Sequence, residues 1–452
     1  MPPNPSRHAA ADRASMAAQG TGHSRRAFLK GALTGGSALL AAGVLSSCAQ
    51  PLVTGSGTLV RFWNLFEGGE YPILQEMYSG YRRDNPDVDF RPVTLSWGQP
   101  YYTKLAMSSA GGRAPEVAIA HMSRVPALGE GNLLAPFDLD ALSDLGLNEA
   151  DFNPDLWDRA SLDAGVVAIP LDSHPLLAFY NTDYCGKVGL LDSNGRLTGL
   201  DTPDRYLEAG RELAKVSNGF GYSQGGTLRT FWTFYGQAGG TIDIPRSRDS
   251  SGLKFDRDIA VSTLEFMKKV HDGTVSPTVD GSDQYATFVS KRSGILFGGT
   301  WSLATLRDTD IPLDAAAFPK IFDLPGAFSD SHCFVLPYQK NVNEAGRQAA
   351  YRFVAHMVKA GNIWATAGHV PAYKPVRDSE GYRKLVPQSH YQDAANNLFL
   401  GPNAWFAGAG TPYDDRISQI FQSALLKQMT SEQAVDEVIS QTRQQIESPS
   451  PL

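Results

Sequence analysis

"VVAIPLDSHPLLAFYNTDYC" (166–185) is the stretch on which the fold turns. It carries two apolar, strand-like runs, 166–170 and 176–180, on either side of a polar kink at Asp172-Ser173-His174-Pro175. The pattern reads as a chain that leaves one sheet and enters another. Upstream of it, strand and helix signals alternate. "TLVRFWN" (58–64) is β-branched and aromatic and predicts a buried strand. In "YPILQEMYSGYRRDN" (71–85), Ile73, Met77 and Tyr81 recur at four-residue steps, one face of a helix that Asn85-Pro86 ends. "VDFRPVTL" (88–95) predicts a second strand, "PYYTKLAMSSAGG" (100–112) a helix with a glycine stop, and "EVAIAH" (116–121) a third strand. Such alternation describes an α/β layer with a mainly parallel sheet.

Downstream the alternation resumes. Thr202-Pro203-Asp204 opens a helix with proline in its first turn, and Ile259, Leu264, Met267 and Val270 keep near-helical spacing. A strand pair at 315–318 and 332–336, joined by a link containing Pro and Gly, is a second candidate crossing, and "GHVPAY" (368–373) is a third. Three crossings between two α/β lobes make each lobe discontinuous: 58–172 plus 330–368 for the first, 173–329 plus 369–452 for the second.

The N-terminus carries an address. Ser24-Arg25-Arg26-Ala27-Phe28-Leu29-Lys30 is a twin-arginine pattern leading into an apolar run diluted by Gly and Ser, a signal segment and not a membrane span. Leu45-Ser46-Ser47-Cys48 is similar to a bacterial lipobox, which implies cleavage before Cys48 and a diacylglycerol on its thiol. Residues 1–47 are then the signal peptide and 48–57 a tether. This predicts an exported protein anchored by lipid to the outer face of the cytoplasmic membrane. Removal of the first 47 residues, with five basic and one acidic side chain, moves the formal charge from −7 to −11. An acidic, mixed surface is a poor partner for nucleic acid. Cys185 and Cys333 read as two buried thiols in preference to a bridge. No Cys/His cluster has zinc spacing and no Asp-rich loop fits a calcium hand, so neither a metal nor a cofactor is expected.

The order of elements resembles the extracellular solute-binding proteins of ABC importers, in particular the carbohydrate-binding family that includes the maltose-binding protein. The matching signposts are "FWNLFEGGE", "AGGRAPEVAIAH", "PLLAFYNTDY", "FYGQAGG", "GILFGGTWSL" and "GHVPAYKPV", in family order across the chain after Cys48. Glu116 stands where the family usually has Asp, a change expected to be structural. The resemblance implies a two-lobed, Venus-flytrap fold that closes on a sugar, a membrane permease and its cytoplasmic ATPase as partners, and capture without catalysis.

A sugar offers apolar C–H faces and a belt of hydroxyls, so its site needs flat aromatic walls and convergent polar groups. Trp301 follows a short strand ending in two glycines and matches a family tryptophan that stacks on sugar. Trp232, Trp405, and Trp63 with Glu67 are further candidates, against the plainer reading of buried indoles. His121, Ser123 and Arg124 follow the third strand, at the end where α/β sheets open toward ligands. Asp172 and His174 lie in the first crossing, Ser331 and His332 beside the second. Alanine at Trp301 or Asp172 is expected to weaken binding without loss of fold.

Three other readings stand beside this one. A glycerol phosphate or its diester would use Arg124, Arg229 or a helix N-terminus. A cationic amino sugar would use Glu67 or Asp172. From another class, Gly221-Tyr222-Ser223-Gln224-Gly225 matches the nucleophile elbow of serine hydrolases. It lacks a clear apolar strand before Ser223, and later groups such as Asp283 and His332 satisfy chain order trivially. Its glycines read as a loop beside the second sheet.

Overall fold

The computed structural model describes residues 58–278 and 284–450. The signal segment, Cys48 and the tether lie outside them. Among the described residues no helix is long and apolar enough to cross a membrane.

Two sheets organise the chain. The first runs Val88–Thr94, Thr58–Asn64, Val117–His121, His332–Pro337, Leu134–Ala135, with Ala168–Pro170 also paired to His332–Pro337. The second runs Phe220–Gln224, Ser293–Gly299, Leu176–Asn181, Leu313–Ala317. The expectation of a mainly parallel sheet needs correction, because both sheets are mixed. Thr58–Asn64 is parallel to both its neighbours, and Phe220–Gln224 is parallel to Ser293–Gly299. The strands that arrive from the opposite sheet run the other way: His332 lies opposite His121, and Leu176 opposite Gly299. The reason is direction of entry. A chain crossing between sheets comes in at the end where the neighbouring strands leave, and so must run antiparallel to them.

The crossing at 166–185 is observed. Ala168–Pro170 belongs to the first sheet and Leu176–Asn181 to the second, and between them Asp172–Ser173 pairs antiparallel with Val370–Pro371. The later crossing joins Leu313–Ala317 to His332–Pro337. Leu176–Asn181 is buried on both faces: Leu176, Ala178 and Tyr180 enter one core, Leu177 and Phe179 another. That explains an apolar run without alternation. The first sheet's core stacks Phe62, Tyr78, Phe90, Phe334 and Phe353.

Local signals hold in detail. The Thr202 hydroxyl accepts from Arg205 N–H ahead of the helix Pro203–Ser217. The helix Glu70–Asp84 buries Leu74, Met77, Tyr78 and Tyr81. Glu116 is structural: its carboxylate takes two hydrogen bonds from the Arg61 guanidinium, at 2.7 and 3.0 Å, and a third from the Arg61 backbone N–H. Cys185 and Cys333 are free, buried thiols. The Gly221–Gly225 stretch differs from expectation, since Phe220–Gln224 is a strand and not a loop. A side chain at Gly221 would overlap the backbone of Gly210 in the helix that packs on it.

Candidate functional site

A cleft of about 450 Å³ opens where the two sheets face each other. The C-terminal ends of Val117–His121 and Ser293–Gly299 both point into it, the position at which strand ends of α/β sheets receive ligands. Of the expected residues, Glu67, His121, Ser123, His174, Trp232, Trp301 and His332 line it. Asp172, Ser331, Arg124, Trp63 and Trp405 do not.

Trp301 is held by geometry that its sequence context foreshadows. A Cβ on Gly299 would overlap the indole ring, so the glycine lets the ring lie flat on the strand end. The Arg229 guanidinium sits 5.3 Å from the ring centroid, and the His174 ring meets it edge-on at 5.7 Å. Among the described residues no protein group accepts a hydrogen bond from that guanidinium. Arg229 is one of the residues that line the cleft. Burial lowers the Arg229 pKa from its ordinary value, opposed by Asp414 and Asp330. A ring stacking on Trp301 therefore has to share the indole with Arg229 or displace it.

The structure also brings in residues that sequence reasoning missed: Glu70, Trp97, Arg159, Asp330, Asp414 and Asp415. Trp97 is 47% exposed, unusual for an indole, and its ring meets His121 edge-on. A signal for it existed, since "SWGQP" follows the second strand directly, at the same ligand-facing end. Burial pushes the Asp414 carboxyl up to about 7, with a hydrogen bond from Gly408 N–H acting the other way. Near neutral pH it thus offers a ligand both a donor and an acceptor form.

Ser123 and the candidates outside the cleft have structural work. The Ser123 hydroxyl donates to Asp330 and accepts from Ala409 N–H, joining the first sheet, the second crossing and the C-terminal segment. Arg124 is buried over the Tyr102 ring, at 4.3 Å, and donates to the Ala409 carbonyl. The Ser331 hydroxyl donates to the His332 carbonyl. Trp63 lines a shallow groove elsewhere, with Lys104 over its ring. Trp405 packs on the second core, edge-on to Phe406. Ser223 is buried in its strand, its hydroxyl 2.7 Å from that of Ser293, which removes the exposed serine that an elbow requires.

Asp172 is fully buried behind the cleft floor. Its carboxylate accepts from His174 Nδ1 at 3.1 Å, from His332 Nδ1 and backbone N–H at 2.9 Å each, and from Trp364 Nε1 at 2.7 Å. Burial alone would raise its pKa. The positive charge available on His332 and His369, with these hydrogen bonds, outweighs burial and holds it well below the usual carboxylate range. For His332, Asp172 likewise overrides burial and raises the imidazole pKa. His121 and His174 move down instead, through burial and then the neighbouring His332. The floor of the cleft is thus one ion pair, Asp172 with His332, ringed by imidazoles. Gly368, at φ +109° and closely packed on the Thr300 carbonyl, turns the chain that delivers His369.

Comparison with known proteins agrees with this architecture. The GacH receptor of Streptomyces glaucescens, solved unliganded and with acarbose, superposes with a TM-score of 0.73 at 16% identity, covering 87% of this chain and 99% of that one. An ABC substrate-binding protein of Listeria monocytogenes, solved with cycloalternan, gives 0.71 at 19% identity over 86% and 99%. At these identities the likeness establishes the two-lobed fold. A maltotriose-binding protein of Pyrococcus abyssi is 20% identical over 275 residues, 60% of this chain and 56% of that relative, so little more than half its length is matched. The family model for bacterial extracellular solute-binding proteins matches residues 67–363, from the cleft residue Glu67 to the helix that carries Trp364, and the chain belongs to that family.

Proposed function

We propose that the chain captures a carbohydrate, an oligosaccharide or amino sugar, between lobes 58–172 plus 330–368 and 173–329 plus 369–452, and hands it to an ABC permease driven by a cytoplasmic ATPase. The observation that carries the reading is the set of indoles lining the cleft, Trp97, Trp232 and Trp301, beside Glu67, Glu70, Asp415 and the Arg229 guanidinium, which has no hydrogen-bond acceptor among the described residues. Flat apolar walls next to convergent charged acceptors and donors are what a polyhydroxylated ring requires. The sugar-bound state of related structures and the maltotriose-binding relative support it. Because Asp172 is buried and already paired, the charge partner for an amino group is Glu67. In this proposal the chain is exported by residues 1–47, anchored through a lipid on Cys48 and given reach by the tether 48–57. Cells fed labelled palmitate should label the wild-type protein and not C48A; an unlabelled wild type removes the anchor.

A second reading is favoured by one feature. Arg229 lies in the first turn of the helix Thr227–Gln237, whose N-terminal residues Gly226, Thr227 and Leu228 line the cleft, a setting that suits a phosphate. Thermal unfolding of the purified full chain against mono- and oligosaccharides, amino sugars and glycerophosphodiesters separates the two. Ligand at 100 times its dissociation constant adds about 2.7 kcal/mol to stability. A selective rise with one sugar class is the expected result. A rise with phosphodiesters alone replaces the sugar by an anion, and no rise with any member removes both.

A further inference from the structure

Asp172, His174, His332 and His369 are all buried, and one donor atom from each lies within 4.8 Å of every other. They reach this point on three separate passages of the chain: Asp172 and His174 on the first crossing, His332 where the second enters the first sheet, and His369 beside Val370–Pro371, the strand paired with Asp172–Ser173. We propose that this cluster is a transition-metal site of the zinc class that fastens the three passages together behind the ligand cleft.

The donor set is the first argument. Three imidazoles and one carboxylate suit Zn²⁺ and its first-row neighbours, whereas Ca²⁺ and Mg²⁺ take shells of oxygen. Spacing is the second. Bonds of about 2.0–2.1 Å in a tetrahedron hold donors about 3.3 Å apart. Nδ1 of His332 and of His369 lies 2.9 and 3.5 Å from Asp172 Oδ2, on either side of this edge, and Nδ1 of His174 lies 3.1 Å from the other oxygen, Oδ1. Loading contracts the wider separations, at most 4.8 Å, by up to about 1.5 Å, within the reach of side-chain rotations. The third argument is the surrounding layer. Glu70 holds Nε2 of His369 at 2.6 Å, the outer carboxylate on the far nitrogen that commonly orients a metal-bound imidazole, and Trp364 Nε1 fixes Asp172 Oδ2 at 2.7 Å.

The test uses the purified full chain, freed of metal by chelator, loaded with Co²⁺ as a spectroscopic stand-in and separately titrated with Zn²⁺ by calorimetry. The expected result is one ion per chain after gel filtration, the intense visible bands of four-coordinate Co²⁺, and Zn²⁺ affinity at least 100-fold weaker in H174A and H369A but unchanged in H356A, a histidine outside the cluster. No retained ion, a pale six-coordinate spectrum, or equal Zn²⁺ affinity in the cluster variants would show a hydrogen-bond network only and overturn the proposal. The wild-type spectrum decides even if a cluster variant fails to fold.

Discussion

Asp172→Ala is expected to lower the unfolding free energy of metal-free protein by roughly 3–5 kcal/mol, the range for removing one partner of a buried ion pair. The substitution removes the carboxylate that holds a proton on the buried His332 and strips an acceptor from His332 Nδ1, Trp364 Nε1, His174 Nδ1 and the His332 N–H. Because those donors sit on all three passages or pack against them, the loss falls on the junction between the sheets. Urea unfolding of wild type and variant measures it, and a difference under about 1 kcal/mol would contradict the account. This reverses the sequence expectation, in which Asp172 was a ligand contact that could be removed without harm to the fold. Nothing in the sequence separates a carboxylate that faces a ligand from one that faces three imidazoles, since both sit in a polar kink between strands.

Trp301→Ala should weaken ligand binding by roughly 30-fold, about 2 kcal/mol, as expected for truncating a central aromatic contact. Stability should change little, because the indole is half-buried at a strand end. Gly299→Ala provides the sharper test: a methyl there overlaps the indole and must push it off the strand. It should reproduce most of the affinity loss with every polar group and the tryptophan itself retained. Calorimetric titration with whichever ligand the thermal panel identifies gives the numbers. If both variants bind as wild type does, the aromatic wall is not Trp301, and Trp97 and Trp232 are the indoles left lining the cleft.

Much of the molecule was legible along the chain. The crossing at 166–185, the strands 58–64, 88–95 and 116–121, the Thr202 helix start and the glycine-terminated strand before Trp301 all follow from local periodicity and caps, which neighbouring residues determine. Strand direction was not, because whether a strand is parallel depends on which sheet its chain came from. Site membership was legible where a residue directly follows a strand, as with His121, Ser123 and Trp301. It failed at Trp63, Arg124 and Trp405, whose side chains are committed to other neighbours.

By itself, then, the sequence determined that two α/β lobes are joined by crossings and that aromatic and imidazole groups stand near them. Only the tertiary structure decided that Asp172, His174, His332 and His369, spread over nearly 200 positions, share one buried point. Metal-ligand motifs are read from short spacings, whereas these four residues owe their meeting to strand pairing across the junction, His332 beside His121 and Val370–Pro371 beside Asp172–Ser173. Proximity of that kind is a product of the packed sheets, and no local pattern along the chain encodes it.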